Sequence, residues 1–183
     1  MRLFIGIVFD DYVIRKIEKT QYALKEAGVR GKFVGPENTH LCVSFLGEVE
    51  ETEIPSMSER LSRICDKHEE FTIDLEGILT IPNKRKPRVL AMGVSDPGNK
   101  LKGITNDIVG EIGGDSKPPH VTLCRLNPIE DSNDIAKAIK DIDVKIGGIN
   151  VNAIKLIKSV LNPTGPGYTM LGNFRLNSCE EFD

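Results

Sequence analysis

The amino-acid sequence predicts an α+β protein in which largely antiparallel sheets, with helices packed outside, form two similar lobes around a shared cleft. Short apolar segments rich in β-branched residues alternate with segments of helical periodicity, which indicates strands that carry helices on one face. Two of the short segments, HLCV at 40–43 and HVTL at 120–123, match each other. The order strand, helix, histidine strand, helix, strand occurs twice, so we expect each half to bring one histidine strand to the cleft.

The first half of the chain contains four predicted strands and two predicted helices. Asp10 is placed to cap the first helix, and Gly28 is placed to end it. Gly35 and Pro36 turn the chain before the first histidine strand, which Gly47 ends. The predicted strands span 2–9, 32–34, 39–46 and 71–81, and the predicted helices span 11–27 and 51–68.

The second half repeats this order and adds further strands. Gly113 and Gly114 stop a helix, and Pro118 and Pro119 introduce the second histidine strand. A segment rich in proline and glycine, 162–167, is predicted to be a loop before the last strand. The predicted strands span 88–94, 120–126, 144–149, 151–161 and 168–176, and the predicted helices span 99–112 and 131–139.

Length and composition fit one bilobal domain over residues 1–183, without a separable linker. Hydrophobic residues make up 39% of the chain, which is enough for a sizeable core. The net charge of −3 argues against a non-specific nucleic-acid binder, which needs a basic face. No apolar run approaches the roughly 20 residues of a membrane span, so we expect no membrane partner. We expect a cytoplasmic monomer whose cysteines are reduced, namely Cys42, Cys65, Cys124 and Cys179.

The two histidine strands predict acid–base chemistry at a phosphoester. Residues i and i+2 of a strand share a face, so His40 lies beside Cys42 and His120 lies beside Thr122. Two imidazoles that flank one substrate supply a general base and a general acid, which suits in-line displacement at phosphorus. A hydroxyl at i+2 can donate to the phosphate oxygens. This arrangement requires no metal and no other cofactor.

The same alternation assigns the remaining candidates. Ser44 shares the face of His40, while Phe45 has the parity of the core residues. Arg125 lies on the strand face opposite to that of His120 unless the strand ends or bulges first.

His68 lies at the polar end of the second predicted helix and is interpreted as structural. The basic run NKRKPR at 83–88 is either a solvated loop or a guide for a polyanion.

With these residues in view, the chain resembles the 2H phosphoesterase superfamily, whose mark is two H-x-[ST]-apolar motifs about 80 residues apart. Within it, the chain is similar to the RNA 2′,3′-cyclic phosphodiesterases, also called 2′-5′ RNA ligases. The resemblance covers nearly the whole chain. The segments that carry it are RLFIGI at 2–7, HLCVSFLG at 40–47, PRVL at 87–90, HVTLCR at 120–125, and 161–168 with its GPGY.

The resemblance implies a bilobal fold with pseudo-two-fold symmetry and a metal-independent cleft. It makes His40 and His120 the acid–base pair. We assign His120 as base and His40 as acid, and the sequence leaves the reverse assignment open. Thr122 would hold a phosphate oxygen, Arg125 would contact the phosphate or the cleft wall, and Phe45 would stack on a base. The implied substrates are RNA ends with a 2′,3′-cyclic phosphate, in tRNA fragments or oligonucleotides, which are opened to a 2′-phosphate. The same chemistry with a ribose hydroxyl in place of water would make a 2′-5′ linkage.

One departure from the family pattern opens alternatives. Cys42 stands where the family has Thr or Ser, and a thiol is a weak donor, so the rate would fall. In one alternative, the chain is a binder of RNA ends whose catalysis is weakened or lost because of Cys42. In another, which does not depend on Cys42, it is a 2H phosphodiesterase for a small cyclic nucleotide. In a further alternative, His40, Cys42, His120 and Cys124 close a zinc site.

Overall fold

The computed structural model describes residues 1–162 and 165–178, which form nine strands, four α-helices and two 3₁₀ turns. The first half comprises β1 (Arg2–Val8), α1 (Asp11–Glu26), β2 (Gly31–Phe33), a turn at Pro36–Asn38, β3 (His40–Glu48), a turn at Glu51–Glu53, α2 (Ile54–Cys65) and β4 (Phe71–Ile81). The second half comprises β5 (Val89–Ser95), α3 (Lys100–Glu111), β6 (His120–Leu126), α4 (Ser132–Ile139), β7 (Lys145–Val151), β8 (Ala153–Asn162) and β9 (Gly165–Arg175).

All nine strands belong to one curled antiparallel sheet with the order β7-β4-β5-β6-β3-β1-β8-β9, and β2 pairs with β6. The centre of the sheet is its weakest seam. There β3 and β6 are joined through a single residue pair, Leu41 with Val121. This seam divides the sheet into a lobe of β3, β1, β8 and β9 and a lobe of β6, β5, β4, β7 and β2. The predicted α+β class and its two lobes are confirmed.

The helices cover one face of the sheet and leave the histidine face open. Asp10 caps α1 as predicted, because its carboxylate accepts a hydrogen bond from the backbone N–H of Val13 at 2.8 Å. Gly28 ends that helix with φ +90°, a conformation that glycine adopts without strain. The core joins apolar residues of the helices to the covered face of the sheet, among them Ile17, Leu24, Leu41, Leu61, Ile104, Ile108, Val121, Leu123 and Leu156.

Most predicted boundaries agree with the structure to within about two residues. The prediction of one helix over 51–68 was too long, because a 3₁₀ turn precedes α2, which has a proline in its first turn. The prediction of a loop over 162–167 was wrong for Asn162, which belongs to β8, and for Gly165–Gly167, which pair with that strand. Pro163, Thr164 and Cys179 lie outside the described residues. No helix in the described part of the chain is long and apolar enough to cross a membrane.

Candidate active site

The two histidines make the same contact with their own backbone. His40 Nδ1 lies 2.8 Å from the carbonyl oxygen of Asn38, and His120 Nδ1 lies 2.8 Å from that of Pro118. A carbonyl only accepts hydrogen bonds, so Nδ1 carries the proton in each ring. The contact fixes both rings in one tautomer and leaves Nε2 to meet a substrate.

The strand register brings the two motifs together across the seam. His40, Cys42, His120 and Thr122 are partly buried, while their alternate neighbours Leu41, Val43, Val121 and Leu123 are buried in the core. Because Leu41 pairs with Val121 in antiparallel register, one step along each strand places Cys42 beside His120 and Thr122 beside His40. Each small donor therefore lies closest to the histidine of the other motif.

Small residues line the neighbouring strands beside this group. Gly6 pairs with Cys42, Ala91 pairs with Thr122, and Gly93 pairs with His120. A Cβ on Gly6 would lie 2.8 Å from the carbonyl oxygen of Leu41, and one on Gly93 would lie 2.9 Å from that of Glu76. The backbone approaches these positions too closely for a side chain, so the cleft stays open beside both motifs.

Both histidine strands contain a β-bulge at the same position of the motif. On β1, Gly6 pairs with Cys42 and the next residue, Ile5, pairs with Ser44, so Val43 is the extra residue. On β6, the register shift between Thr122 and Cys124 makes Leu123 the extra residue. A bulge reverses the alternation of faces beyond it. The residues that follow Val43 and Leu123 therefore lie on the face opposite to the one that strict alternation predicts.

The bulges correct two predictions and explain a third. The parity argument that placed Phe45 in the core was wrong: Phe45 pairs with Phe4 on the cleft face and is 37% exposed, with the guanidinium of Arg2 5.0 Å from its ring centre. Ser44 was predicted on the cleft face, but it is fully buried and its Oγ donates to the carbonyl of Gly113 at 2.9 Å. Arg125 pairs with Val89 beyond the second bulge, so it turns to the cleft face and is exposed.

The second bulge also removes one ligand from the alternative zinc site. Cys124 faces the core and is fully buried, and burial raises the pKa of its thiol to about 11. It therefore points away from His120 instead of sharing its face. Within residues 1–162 and 165–178, no group of three or more histidine, cysteine or carboxylate side chains is assembled to hold a metal ion. The four-ligand hypothesis was wrong because it assumed unbroken alternation.

Two aromatic rings that the sequence reasoning missed surround His40. The ring centres of Phe4 and Tyr168 lie 4.7 Å and 5.2 Å from that of His40, and 5.0 Å from each other. Both residues occur in segments that carried the family resemblance, but nothing in the sequence placed them beside a histidine. Across the described part of the chain, no aromatic ring makes such a contact with His120. The aromatic cage, Phe4 with Tyr168, therefore breaks the symmetry of the two motifs.

The surroundings of the first motif change the pKa values of His40 and Cys42. Burial lowers the pKa of His40 below its usual value near 6.5, the positive charges of His120 and Arg125 lower it further, and the hydrogen bond to Asn38 opposes them. Burial and the carboxylate of Asp115 raise the pKa of Cys42 to about 11. The Cys42 side chain is therefore a neutral thiol at pH 7.

The third histidine lies outside this group. His68 Nε2 is 2.8 Å from a carboxylate oxygen of Asp107, so it links the end of α2 to α3. This agrees with the structural interpretation of His68 and gives it a carboxylate partner that the sequence did not predict.

The fold and the site define a class of protein: a phosphoesterase with two histidines on a symmetric pair of strands. An RNA 2′,3′-cyclic phosphodiesterase of Aquifex aeolicus is 31% identical to this chain over 186 residues, covering 96% of this chain and 97% of that protein. One from Archaeoglobus fulgidus is 33% identical over 184 residues, covering 95% and 99%. The crystal structure of TT0787 of Thermus thermophilus matches 98% of this chain and 100% of that chain at 27% identity, with a TM-score of 0.73.

The sequence profile of the LigT-like phosphoesterases matches residues 8–91. This chain belongs to the LigT-like phosphoesterase family, within the 2H phosphoesterase superfamily, and it is a phosphodiesterase.

Proposed function

We propose that this protein hydrolyses the 2′,3′-cyclic phosphate at an RNA end to a 2′-phosphate. The observation that carries the proposal is the pair His40 and His120, held in the same tautomer on adjoining strands with Nε2 of each left for a substrate. Two such imidazoles in one cleft can act as a general base, which removes a proton from the attacking oxygen, and a general acid, which gives a proton to the leaving oxygen. The curated relatives named above carry the same activity in their names.

In the proposed reaction, His120 Nε2 accepts a proton from water as the water oxygen attacks phosphorus. The bond between phosphorus and the 3′-oxygen breaks. His40, which enters the step as the imidazolium with a proton on each ring nitrogen, donates the Nε2 proton to that oxygen. The product carries a 2′-phosphate and a free 3′-hydroxyl, with His120 protonated and His40 neutral. Exchange of protons with solvent restores both rings. Ligation to a 2′-5′ linkage is the same ring opening with the ribose 5′-hydroxyl of a second RNA as nucleophile in place of water; His120 takes the hydroxyl proton and His40 again protonates the leaving 3′-oxygen.

The pKa of His40 is consistent with a role as acid once substrate is bound. In the empty cleft, its pKa is lowered by burial and by the cations His120 and Arg125. The negative charge of a bound phosphodiester opposes the effect of those cations and favours the imidazolium. A lowered pKa also makes the ring a stronger acid toward the leaving oxygen.

The surrounding side chains are assigned to the phosphate and the base. Thr122 donates its hydroxyl to a phosphate oxygen, and Arg125 adds positive charge from the same strand. Cys42 occupies the equivalent position beside His120 with a weaker donor. Phe45, exposed on the same face, offers its ring to the base of the terminal nucleotide. The remaining expectations, a cytoplasmic monomer without a cofactor that acts on tRNA fragments or oligonucleotides, stay predictions.

The experiment that tests the function uses an RNA with a 2′,3′-cyclic phosphate end, incubated with the purified protein in the presence of a chelator. The expected product is a 2′-phosphate. A 3′-phosphate product would contradict the assignment of the 3′-oxygen as leaving group, and an absence of product in the chelator that is reversed by added metal would contradict the two-histidine mechanism.

A second candidate, a binder of RNA ends that has lost turnover, is favoured by one observation: the neutral thiol of Cys42 beside His120. It predicts tight binding of the cyclic end without product. Product formation by the unmodified protein would exclude it.

Removing the Tyr168 ring is expected to shift the pH dependence of turnover. Tyr168→Ala admits water to His40, so the pKa of His40 rises toward its usual value near 6.5. Because the acid must be protonated, the limb of the profile on which activity falls with pH moves to higher pH. Tyr168→Phe keeps the ring and should keep the profile. NMR titration of the His40 ring checks the shift directly, and equal His40 titrations in the unmodified protein and Tyr168→Ala would contradict it.

A further inference from the structure

A dense group of positive charges lies at the tip of the β4–β5 hairpin. The turn between Ile81 and Val89 carries Lys84, Arg85, Lys86 and Arg88, all exposed. We call these four residues the basic hairpin. None of them lies within 4.0 Å of a carboxylate in residues 1–162 and 165–178. Their charges are therefore not neutralised by ion pairs within the described structure, although the whole chain carries a net charge of −3.

The basic hairpin lies beyond the end of the cleft at which Arg125 is exposed. Ile81 pairs with Val89, Val89 pairs with Arg125, and Arg125 pairs with Lys32, so these residues form one row across four strands. His120 pairs with Gly93, four residues further along β5. At about 3.3 Å per strand residue, the row of Arg125 lies about 13 Å from that of His120. The basic hairpin starts beyond this row.

Backbone contacts hold the turn in a defined shape. Asn83 Oδ1 accepts hydrogen bonds from the backbone N–H groups of Arg85 and Lys86, each at 3.0 Å. The N–H of Arg88 donates to the carbonyl of Ile81, and the carbonyl of Arg88 accepts from the N–H of Leu126 on β6. The chain that carries the cations is thus tied to the strand that carries His120 and Arg125. Less conformational entropy is lost when such a turn binds a ligand.

We propose that the basic hairpin is a docking surface for the phosphates of the RNA chain that leads to the reacting end. This inference rests on the proposed function, since it assumes a nucleotide end at His40 and His120. At roughly 3.4 Å per stacked nucleotide, about four nucleotides span the 13 Å from His120 to the row of Arg125. A single cyclic nucleotide fills the cleft without reaching the basic hairpin, whereas a longer RNA places its phosphates on it. The surface therefore selects RNA ends over free cyclic nucleotides.

The test compares two substrates and two matched variants. The triple variant Lys84→Gln, Arg85→Gln and Lys86→Gln removes three charges from the basic hairpin. Its control, Arg15→Gln, Lys16→Gln and Lys19→Gln, removes three exposed charges from α1, on the sheet face opposite the histidines. The substrates are an eight-nucleotide RNA with a 2′,3′-cyclic phosphate end and the mononucleotide 2′,3′-cyclic AMP. The measured quantity is kcat/KM at several salt concentrations.

We expect the hairpin variant to lose about tenfold in kcat/KM on the octamer at low salt and to keep its kcat/KM on the mononucleotide. The slope of log kcat/KM against log salt should become shallower by about 2, because each phosphate contact on a single strand contributes about 0.7. The control variant should match the unmodified protein on both substrates. Equal losses on both substrates, no loss on either, or the same loss in the control would each overturn the proposal.

A binding measurement separates this inference from the proposed function. The anisotropy of a fluorescent octamer that ends in a 2′-phosphate reports affinity without turnover. Weaker, less salt-dependent binding by the hairpin variant than by the control supports the docking surface even for a protein that fails to open a cyclic phosphate. Equal affinities in the two variants overturn it, whatever the activity.

Discussion

Replacing His120 with alanine is expected to lower the turnover of a 2′,3′-cyclic phosphate end by about 10³-fold to 10⁴-fold. The variant loses the base that takes a proton from water, and such a base contributes on the order of 10² to 10⁴ in rate. His40→Ala should cause a loss of the same size, because the 3′-oxygen then leaves without a proton. Rates under substrate saturation and at limiting substrate give kcat and kcat/KM for each variant.

A changed leaving group distinguishes the two histidines. In a substrate whose 3′-oxygen is replaced by sulfur, the leaving thiolate is stable without a proton, so the acid is no longer needed. His40→Ala should therefore recover most of its lost rate on this substrate, while His120→Ala should not. Recovery by His120→Ala alone would reverse the assigned roles, and near-normal activity of either variant on the natural substrate would refute acid–base catalysis by this pair.

The control for this pair is His68→Ala. It removes an imidazole that contacts Asp107 on α3 and lies outside the cleft, so full activity is expected. The folds of His40→Ala and His120→Ala should survive, since the described hydrogen bonds of these two rings are to backbone carbonyls two residues away. Circular dichroism and the unfolding midpoint check this.

Replacing Cys42 with threonine is expected to raise kcat by about tenfold to a hundredfold. The thiol of Cys42 is a weak donor whose pKa is raised to about 11, and it lies beside His120 in the position that mirrors Thr122. A hydroxyl there adds a donor to the oxygen on which negative charge accumulates. Loss of one such donor costs other enzymes about 10² to 10³ in rate, and a weak thiol donor already supplies part of that.

Valine at position 42 separates the donor from the shape of the side chain. Cys42→Val has the branched outline of threonine without its hydroxyl, so it should give no gain. Thr122→Cys makes the opposite change on the second strand and should lower kcat. An equal gain in the valine and threonine variants would attribute the effect to packing, and a loss in Cys42→Thr would contradict the argument from the weak donor.

The sequence by itself determined the class of fold, the two histidine strands and the chemistry they allow. These depend on local regularities: the alternation of faces in HLCV and HVTL, the caps at Asp10 and Gly28, and helical spacing. Such patterns follow from backbone geometry within a few residues. The sequence also predicted that His40 and His120 face one cleft, because two similar halves that each carry one histidine strand imply a shared cleft.

Only the tertiary structure decided which residues beyond each motif face the substrate. The bulges at Val43 and Leu123 arise from the registers with β1 and β5, and other elements support them. Gln21 on α1 donates to the carbonyl oxygen of Leu123 at 3.0 Å, and Ser44 donates to Gly113. No pattern within a strand records an extra residue that its partner strand imposes.

The bulges turn Phe45 and Arg125 into the cleft and Cys124 into the core. The placement of Tyr168 against His40 likewise depends on the pairing of β9 with β8 and of β8 with β1. Apart from the β8–β9 hairpin, these pairings join residues far apart in the chain, so they are set by how the sheet curls and closes. Short-range sequence patterns fix the chemistry of the two motifs, and long-range strand pairing fixes the environment in which each histidine works.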